Sequence, residues 1–165
     1  MRIHAAIRAS KRSPLLQVVK SAAATIAAWL LAGWVVPGQL PVFAAIAALL
    51  VVQPSVNQSL SKALERSIGV IVGVVIAVAL GLLLGSPSWI VLLAIVVAML
   101  VAWAFKATPG TGNQVAISAM LVLALGSTPD YAIARIFETL IGVVIGIVVN
   151  ALIVPPVLVL SLIHI

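Results

Sequence analysis

The sequence predicts an all-α integral membrane protein with six transmembrane helices. Only 7% of the 165 residues are charged and 64% are hydrophobic, and the mean hydropathy is +1.36, which lies outside the range of water-soluble domains. Several apolar runs approach the roughly 20 residues that a helix needs to cross a bilayer. None of them alternates with the period of two that a barrel strand requires. The spans are therefore predicted to be helices.

The first half of the chain contains three predicted spans. A basic segment, residues 1–14, precedes the first span at Leu15–Val36. That span is too long for the core of a secretory signal and is followed by more hydrophobic sequence, so we expect it to be retained. The tight turn "PGQLP" leads to the second span at Val42–Val52, and the third follows "QPSVNQS" at Ser67–Leu84.

The second half repeats this plan with three further spans. They are predicted at Trp89–Phe105, Gln114–Leu125 and Ile136–Val154. The segment "TPGTG" is predicted to be a flexible break before the fifth span, and Pro155 and Pro156 end the sixth because proline cannot continue a helix. The membrane domain is therefore expected over residues 15–156, with halves at about 15–84 and 89–154.

The basic residues predict the orientation of the six spans. A cytoplasmic N-terminus places eight of the nine lysines and arginines on the inside, and only Arg135 on the outside. The eight are Arg2, Arg8, Lys11, Arg12, Lys20, Lys62, Arg66 and Lys106. The positive-inside rule then predicts that both termini are cytoplasmic. Trp34, Trp89 and Trp103 lie near span ends, where tryptophan anchors a helix at the membrane interface.

One phrase occurs twice, as "ERSIGVIVG" at residues 65–73 and "ETLIGVVIG" at residues 138–146. The offset of 73 pairs Lys62 with Arg135 and Glu65 with Glu138, and an offset of 75 pairs Gln39 with Gln114 and Pro54 with Pro129. Because three spans is an odd number, the second copy enters the membrane from the opposite side, which predicts a three-plus-three inverted repeat. Chance similarity between two apolar helices is the alternative, and the matched charges argue against it.

Two glycines lie four residues apart in each copy of the phrase. In the third span, a further glycine follows eight residues later. Small residues at that spacing let two helix backbones approach closely in lipid. We therefore predict packing seams on the third and sixth spans, formed by Gly69, Gly73, Gly81, Gly142 and Gly146.

The charged residues of the two copies have two open interpretations. Lys62 can pair with Glu65, and Arg135 with Glu138, since each pair is spaced i, i+3. In the first interpretation all four lie in the headgroup zone and mark helix ends. In the second, Glu65 and Glu138 lie in a water-filled vestibule and couple protons, while the basic partners attract an anion.

Three uncharged or basic residues are further candidates for the transport path. Asn150 lies deep in the sixth span, where it either forms an interhelical hydrogen bond or lines a pathway. Gln114 and Arg66 are candidates for anion binding. The spans after "PGQLP" and "TPGTG" are short and interrupted by glycine and proline, which is typical of a transport site, although simple turns would give the same pattern.

The sequence argues against several kinds of function. It has no cysteine, and its two histidines, His4 and His164, lie at opposite ends of the chain. We expect no metal, no cofactor and no conventional active site, because the only acids are Glu65, Asp130 and Glu138. The basic residues flank apolar spans and lack interleaved aromatic residues, so nucleic-acid binding is not expected.

The segments "SKALERSIGVIVGVVIAVALG", "PSWIVLLAIVVAMLVAWAF", "NQVAISAMLVLAL" and "ARIFETLIGVVIGIVVNALIVPP" resemble the aromatic acid exporter family of the fusaric-acid-resistance-like (FUSC) superfamily. The resemblance covers about Leu15 to Pro156. It implies a six-helix transporter module in the bacterial inner membrane, often dimeric, which exports aromatic or other weak carboxylic acids. The positions that match the pattern of this family are Glu65, Arg66, Gly69, Gln114, Arg135 and Gly142.

The C-terminal residues depart from that resemblance. The family implies a basic continuation, but the chain ends in "LSLIHI" at residues 160–165. The codons CTG TCT CTT ATA CAC ATC would encode these residues and resemble a transposon mosaic-end adapter. We therefore expect 157–165 to be a truncated tail and 160–165 to be an artefact, which different codons in the nucleotide record would contradict.

These observations predict a module that exports small organic anions. Two alternatives stay open at the level of the sequence. The first is a passive anion channel, and the second is a membrane anchor for a missing cytoplasmic domain with a regulatory or assembly role.

Overall fold

The computed structural model describes residues 15–36, 38, 40–85, 88–126 and 128–153. The expectations for the basic segment 1–14, for both histidines, for Gln39, for Pro155 and Pro156 and for the tail 157–165 lie outside these residues. Four of the eight basic residues in the orientation argument also lie outside them.

The described residues form six α-helices and no strand, which confirms the all-α class and the number of helices. The bounds of the helices are α1 Leu15–Val35, α2 Val42–Val51, α3 Val56–Leu84, α4 Ser88–Ala104, α5 Pro109–Leu125 and α6 Pro129–Ile153.

Three of the six helices are long and apolar enough to cross a membrane. These are α1 with 21 residues, α3 with 29 and α6 with 25. The other three are apolar but shorter: α2 has 10 residues, and α4 and α5 have 17 each. A helix of 10 residues extends only about 15 Å, half of the hydrocarbon thickness. The fold is therefore that of an integral membrane protein, and six complete crossings stay a prediction.

Three helices begin earlier than the approximate membrane spans predicted for them. α3 begins at Val56 rather than Ser67, α5 at Pro109 rather than Gln114, and α6 at Pro129 rather than Ile136. The first turns of these helices contain polar residues, which a hydropathy pattern excludes from a span although they are helical.

Side-chain caps explain two of these early starts. Ser55 Oγ accepts a hydrogen bond from the Gln58 N–H at 3.3 Å, and Thr108 Oγ1 accepts one from the Thr111 N–H at 3.2 Å. Such N-caps satisfy backbone donors that a helix leaves free. The segment "TPGTG" is consequently not a flexible break, because Thr108 is the N-cap of α5 and Pro109 is its first residue.

The helices pack in two groups of three. One group contains α1, α2 and α6, and the other contains α3, α4 and α5. The third helix of each half of the sequence therefore packs against the first two helices of the other half. Contacts between α3 and α6 join the two groups.

Alanine stripes bring the helices of each group close together. In α1, Ala24, Ala28 and Ala32 are fully buried, and in α4 Ala94 and Ala98 are fully buried in the same spacing of four residues. The larger side chains of these helices, such as Trp34 and Trp103, point outwards and are 84% and 79% exposed. This arrangement presents bulky apolar groups to lipid and small groups to neighbouring helices.

α3 and α6 run in opposite directions. Near the C-terminal end of α6, Asn150 Nδ2 donates a 2.6 Å hydrogen bond to Ser59 Oγ, close to the start of α3. At the other end of the pair, Pro129 of α6 lines the same groove as Leu82 of α3. The starts of the two long helices thus lie at opposite ends of the bundle.

Two glycine contacts show where the short helices begin. A Cβ atom at Gly69 of α3 would lie 3.2 Å from the carbonyl oxygen of Thr111, and one at Gly142 of α6 would collide with the carbonyl group of Ala44. Gly69 lies 13 residues after the start of α3 (69 − 56), and Gly142 lies 13 residues after the start of α6 (142 − 129). Thr111 and Ala44 are each the third residue of a short helix.

Both short helices therefore begin beside the middle of a long helix rather than at its end. Gly73 contacts Val115, and Gly146 contacts Ala48, so each short helix runs parallel to its long partner. At about 1.5 Å per residue, α5 begins roughly 15 Å along α3, and α2 begins roughly 15 Å along α6. Gly81 lies farther along α3, where it is half-buried.

Candidate functional site

The Glu65 carboxylate lies at the N-terminus of α5. Its Oε1 accepts a 2.9 Å hydrogen bond from the Thr108 hydroxyl, and its Oε2 lies 2.7 Å from Lys62 Nζ. The same oxygen is in contact with Gly110, since a Cβ atom built there would lie only 2.6 Å from it. A carboxylate in this position is stabilised by the positive end of the helix dipole, and the absence of a side chain at Gly110 makes room for it.

A chain of polar side chains extends from this carboxylate into the bundle. Arg66 is only 7% exposed and donates from NH1 to Gln114 Oε1 at 3.1 Å. Gln114 Nε2 in turn donates to Ser118 Oγ at 3.2 Å. Arg66 Nε has no hydrogen-bond partner among the described residues, so this buried cation has a donor available for a ligand.

A cavity of about 280 Å³ opens beside these groups. Its lining residues are Leu50, Gln53, Lys62, Glu65, Arg66, Gly110 and Gln114. Two cations, one carboxylate, two amides and the first turn of a helix therefore surround one space. Helix N-termini and arginine side chains both favour bound anions, so this cavity has the chemistry of an anion site.

The Glu138 carboxylate lies at the N-terminus of α2. Its Oε2 accepts a 3.1 Å hydrogen bond from the Phe43 N–H, in the first turn of that helix. Arg135 does not pair with Glu138, although the spacing allows it. Its guanidinium carbon instead lies 3.9 Å from the centre of the Phe43 ring, and Tyr131 packs edge-on against the same ring at 6.4 Å.

Several polar atoms around Glu138 lack partners. Arg135 is 2% exposed and Glu138 is 1% exposed. Within the described part of the chain, Arg135 Nε and NH1, Tyr131 Oη and Thr139 Oγ1 make no hydrogen bond. A buried guanidinium with two free nitrogen atoms is costly unless an aromatic ring or an anion compensates it.

The two glutamates occupy equivalent positions along their helices. Glu65 lies nine residues after the start of α3 (65 − 56), and Glu138 lies nine residues after the start of α6 (138 − 129). Neither glutamate therefore lies at the end of its own helix. Each carboxylate contacts the first turn of a short helix that lies in the other half of the sequence.

Asn150 lies apart from both carboxylates. It is fully buried and binds Ser59 Oγ, which also accepts a 3.0 Å hydrogen bond from the Gln53 N–H. Asn150 thus links α6 to the start of α3. Within the described residues, the groups that could bind a metal do not form a cluster.

The sequence did not point to the groups that the two carboxylates contact. The pair Thr108 and Pro109 has the pattern of an N-cap followed by proline at the first helical position, so α5 could have been placed correctly. Phe43 and Gly110 had no such signal, because their contacts with the glutamates depend on how the helices pack.

The fold and the buried charges define an α-helical integral membrane protein with polar groups inside its bundle. The chain matches the fusaric acid resistance protein-like family over residues 24–149. It belongs to this family, which confirms the resemblance to the FUSC superfamily and assigns the chain to a class of membrane transporter and resistance proteins. Neither the curated proteins nor the solved structures contain a significant match.

Proposed function

We propose that this chain is a transporter module that exports small organic carboxylates, including aromatic ones, across the bacterial inner membrane. The observation that carries the proposal is the cavity at the N-terminus of α5. It combines the first turn of a helix with Arg66, whose Nε is unpartnered, and with Lys62. A carboxylate placed there would receive charge-assisted hydrogen bonds in a largely buried setting.

The composition of the cavity favours a monovalent anion with an apolar body. Lys62 and Arg66 supply two positive charges and Glu65 one negative charge, so the lining has a net charge of +1, while Leu50 supplies an apolar wall. The family takes its name from fusaric acid, an aromatic carboxylic acid, which makes that compound a suitable probe. Gln114, already bound to Arg66, is expected to help orient the carboxylate.

The proposed path lies between two oppositely oriented halves of an inverted repeat. The equal positions of Glu65 and Glu138 along α3 and α6 support this arrangement, as do the equal contacts of Gly69 and Gly142 with the third residue of a short helix. In transporters with inverted repeats, half-helices whose N-termini point at the substrate commonly build the site. α2 and α5 have that form here.

Glu65 is proposed to couple protons to transport. Its carboxylate occupies the N-terminus of α5 and neutralises Lys62, so its protonation would free both groups for the carboxylate of a substrate. The charged groups that face it are Lys62 and Arg66 on its own helix. α5 contributes only the Thr108 hydroxyl and the backbone at Gly110. Glu138 is proposed to act in the same way at α2.

The test is transport by the full chain in proteoliposomes, with fusaric acid and benzoate as probes. Arg66→Gln should lower the transport rate about tenfold or more, because it removes the buried cation and leaves a neutral side chain. Lys106→Gln is the matched control, since Lys106 is exposed and is not part of the cavity lining; its rate should stay near that of the wild type.

Equal rates for the two variants would contradict the role of Arg66. A passive anion channel would give a different result in the same preparation, namely currents that follow the anion gradient without any requirement for protons.

A further inference from the structure

We propose that the N-terminus of α2 is a second carboxylate-binding site, closed in this structure, and that Glu138 is its built-in occupant. The inference rests on the proposed function for the identity of the ligand, a small organic carboxylate. Its evidence is separate, since it concerns α2, α6 and Arg135 rather than the cavity at α5.

The first argument is the equivalence of the two carboxylates. Glu138 accepts the Phe43 N–H in the first turn of α2, as Glu65 contacts Gly110 in the first turn of α5. Each therefore lies where the helix dipole favours an anion. A carboxylate that enters from outside would find the same donors if the glutamate side chain moved away.

The second argument is Arg135. Its side chain is 2% exposed, it leaves Nε and NH1 without partners, and it stacks on the ring of Phe43 at 3.9 Å. A cation–π contact compensates a buried charge only in part. An anion seated between Arg135 and the first turn of α2 would supply the missing acceptors, with the paired geometry that guanidinium and carboxylate groups favour.

The third argument is the contrast in exposure between the two sites. At the first site the side chains of Lys62 and Glu65 are 50% and 20% exposed, whereas Arg135 and Glu138 are 2% and 1% exposed. The starts of α3 and α6 lie at opposite ends of the bundle, so the two sites would open towards opposite ends. The first site is therefore partly open to solvent in this structure, and the second is sealed.

The experiment uses cysteine labelling, because the natural chain has no cysteine. Thr139 is adjacent to Glu138, is 1% exposed, and is close in size to cysteine. The full chain carrying Thr139→Cys is treated with an anionic and with a cationic methanethiosulfonate reagent, with and without Glu138→Gln. Thr111→Cys serves as the matched control, since Thr111 is also buried and lies in the first turn of α5, away from α2.

Thr139→Cys should react slowly while Glu138 is present. Glu138→Gln should make this cysteine reactive, and the anionic reagent should react about tenfold faster than the cationic one, as expected for a cavity with an unpaired positive charge. Adding Arg135→Gln should remove that preference. Glu138→Gln should leave the labelling of Thr111→Cys unchanged.

Two results would overturn the proposal: equal rates for both reagents in the presence of Glu138→Gln, or a preference for the anionic reagent that survives Arg135→Gln. Should the protein with all three substitutions not fold, ligand protection replaces that measurement. Benzoate should slow the labelling of Thr139→Cys in the Glu138→Gln protein, and benzamide, its neutral analogue, should not. Equal effects of the two compounds would also overturn the second site.

The labelling rates do not depend on transport. Failure of the proposed function, seen as the absence of fusaric acid and benzoate transport, is therefore distinguishable from failure of the second site.

Discussion

At the scale of single residues, Glu65 and Glu138 each place a carboxylate at the N-terminus of a helix rather than in an isolated ion pair. Glu65 has Lys62 and Thr108 as partners, and Glu138 has the Phe43 N–H. Glu138 accepts one of the backbone donors that a first helical turn leaves unpaired, and Glu65 binds the hydroxyl of Thr108, the N-cap of α5, so each glutamate stabilises the start of a short helix. In the proposed mechanism, the same contact competes with a substrate carboxylate for the helix terminus.

This competition predicts the effect of Glu65→Gln. Strong acidification should strengthen substrate binding by the wild type, because Lys62 and Thr108 stabilise the ionised carboxylate and only its protonation releases Lys62 and the N-terminus of α5. Glu65→Gln should bind the substrate with little dependence on pH, and its proton-driven efflux should fall about tenfold or more. Counterflow of labelled fusaric acid at equal pH on both sides should persist, because it requires binding and not proton release.

The measurement is efflux from proteoliposomes with and without a pH gradient, with Glu138→Gln tested in parallel. If both variants keep proton-dependent efflux at the rate of the wild type, neither glutamate couples protons. Loss of counterflow as well would mean that the side chain is needed for binding itself.

At the scale of helices, the glycine seams fix where α2 and α5 lie. Gly69 and Gly73 contact α5 through Thr111, Gln114 and Val115, and Gly142 and Gly146 contact α2 through Ala44 and Ala48. Backbones this close hold each short helix at a set depth, which in turn places its first turn beside a glutamate. The seams therefore position the candidate sites as well as packing the bundle.

Gly142→Ala should destabilise the protein more than a typical glycine substitution. The added methyl group would collide with the backbone carbonyl of Ala44, which cannot move aside by a change of rotamer. Overpacking of this kind costs about 1–3 kcal/mol. For a chain of this size the melting temperature in detergent should fall by roughly 2–10 °C.

Gly33→Ala is the control for that substitution. A Cβ atom at Gly33 of α1 would lie 3.5 Å from Pro41 Cγ, an ordinary contact, so the melting temperature should change little. The melting temperatures are measured by thermal unfolding of the purified proteins. Equal falls in melting temperature for both variants would show that the protein relieves the collision at Ala44 without loss of stability.

The helices also show what local sequence reasoning can and cannot place. Hydropathy located the long helices α3 and α6, because an apolar run is a local property. It missed the first turns of α3, α5 and α6, since their polar residues lower the hydropathy although Ser55 and Thr108 cap the helices. Phe43 was missed for another reason: nothing near it in the sequence indicates that it faces Glu138.

At the scale of the whole molecule, the two groups of helices exchange their third members. α6 packs with α1 and α2, and α3 packs with α4 and α5. Each candidate site is therefore built from both halves of the sequence, with the glutamate from one half and the helix N-terminus from the other.

The proposed orientation can be tested on intact cells. With the N-terminus in the cytoplasm, the start of α3 lies inside and the start of α6 outside, so Asp130→Cys should react with a membrane-impermeant maleimide and Gln58→Cys should not. Both positions lie in exposed first turns, and the parent chain has no cysteine to react. Gln58→Cys should become reactive only after permeabilisation. Reactivity of both positions from the same side would contradict the antiparallel placement of α3 and α6 across the membrane.

The sequence by itself determined the membrane class, the helical structure, the family and the glycine spacing, because hydropathy and the i, i+4 pattern are properties of local segments. Only the tertiary structure decided which groups the two glutamates contact. The spacing of Arg135 and Glu138 allowed an ion pair, yet packing of α6 on α2 gave Glu138 the Phe43 N–H and gave Arg135 the Phe43 ring. Such contacts join residues far apart in the chain, so they depend on helix packing rather than on any local pattern.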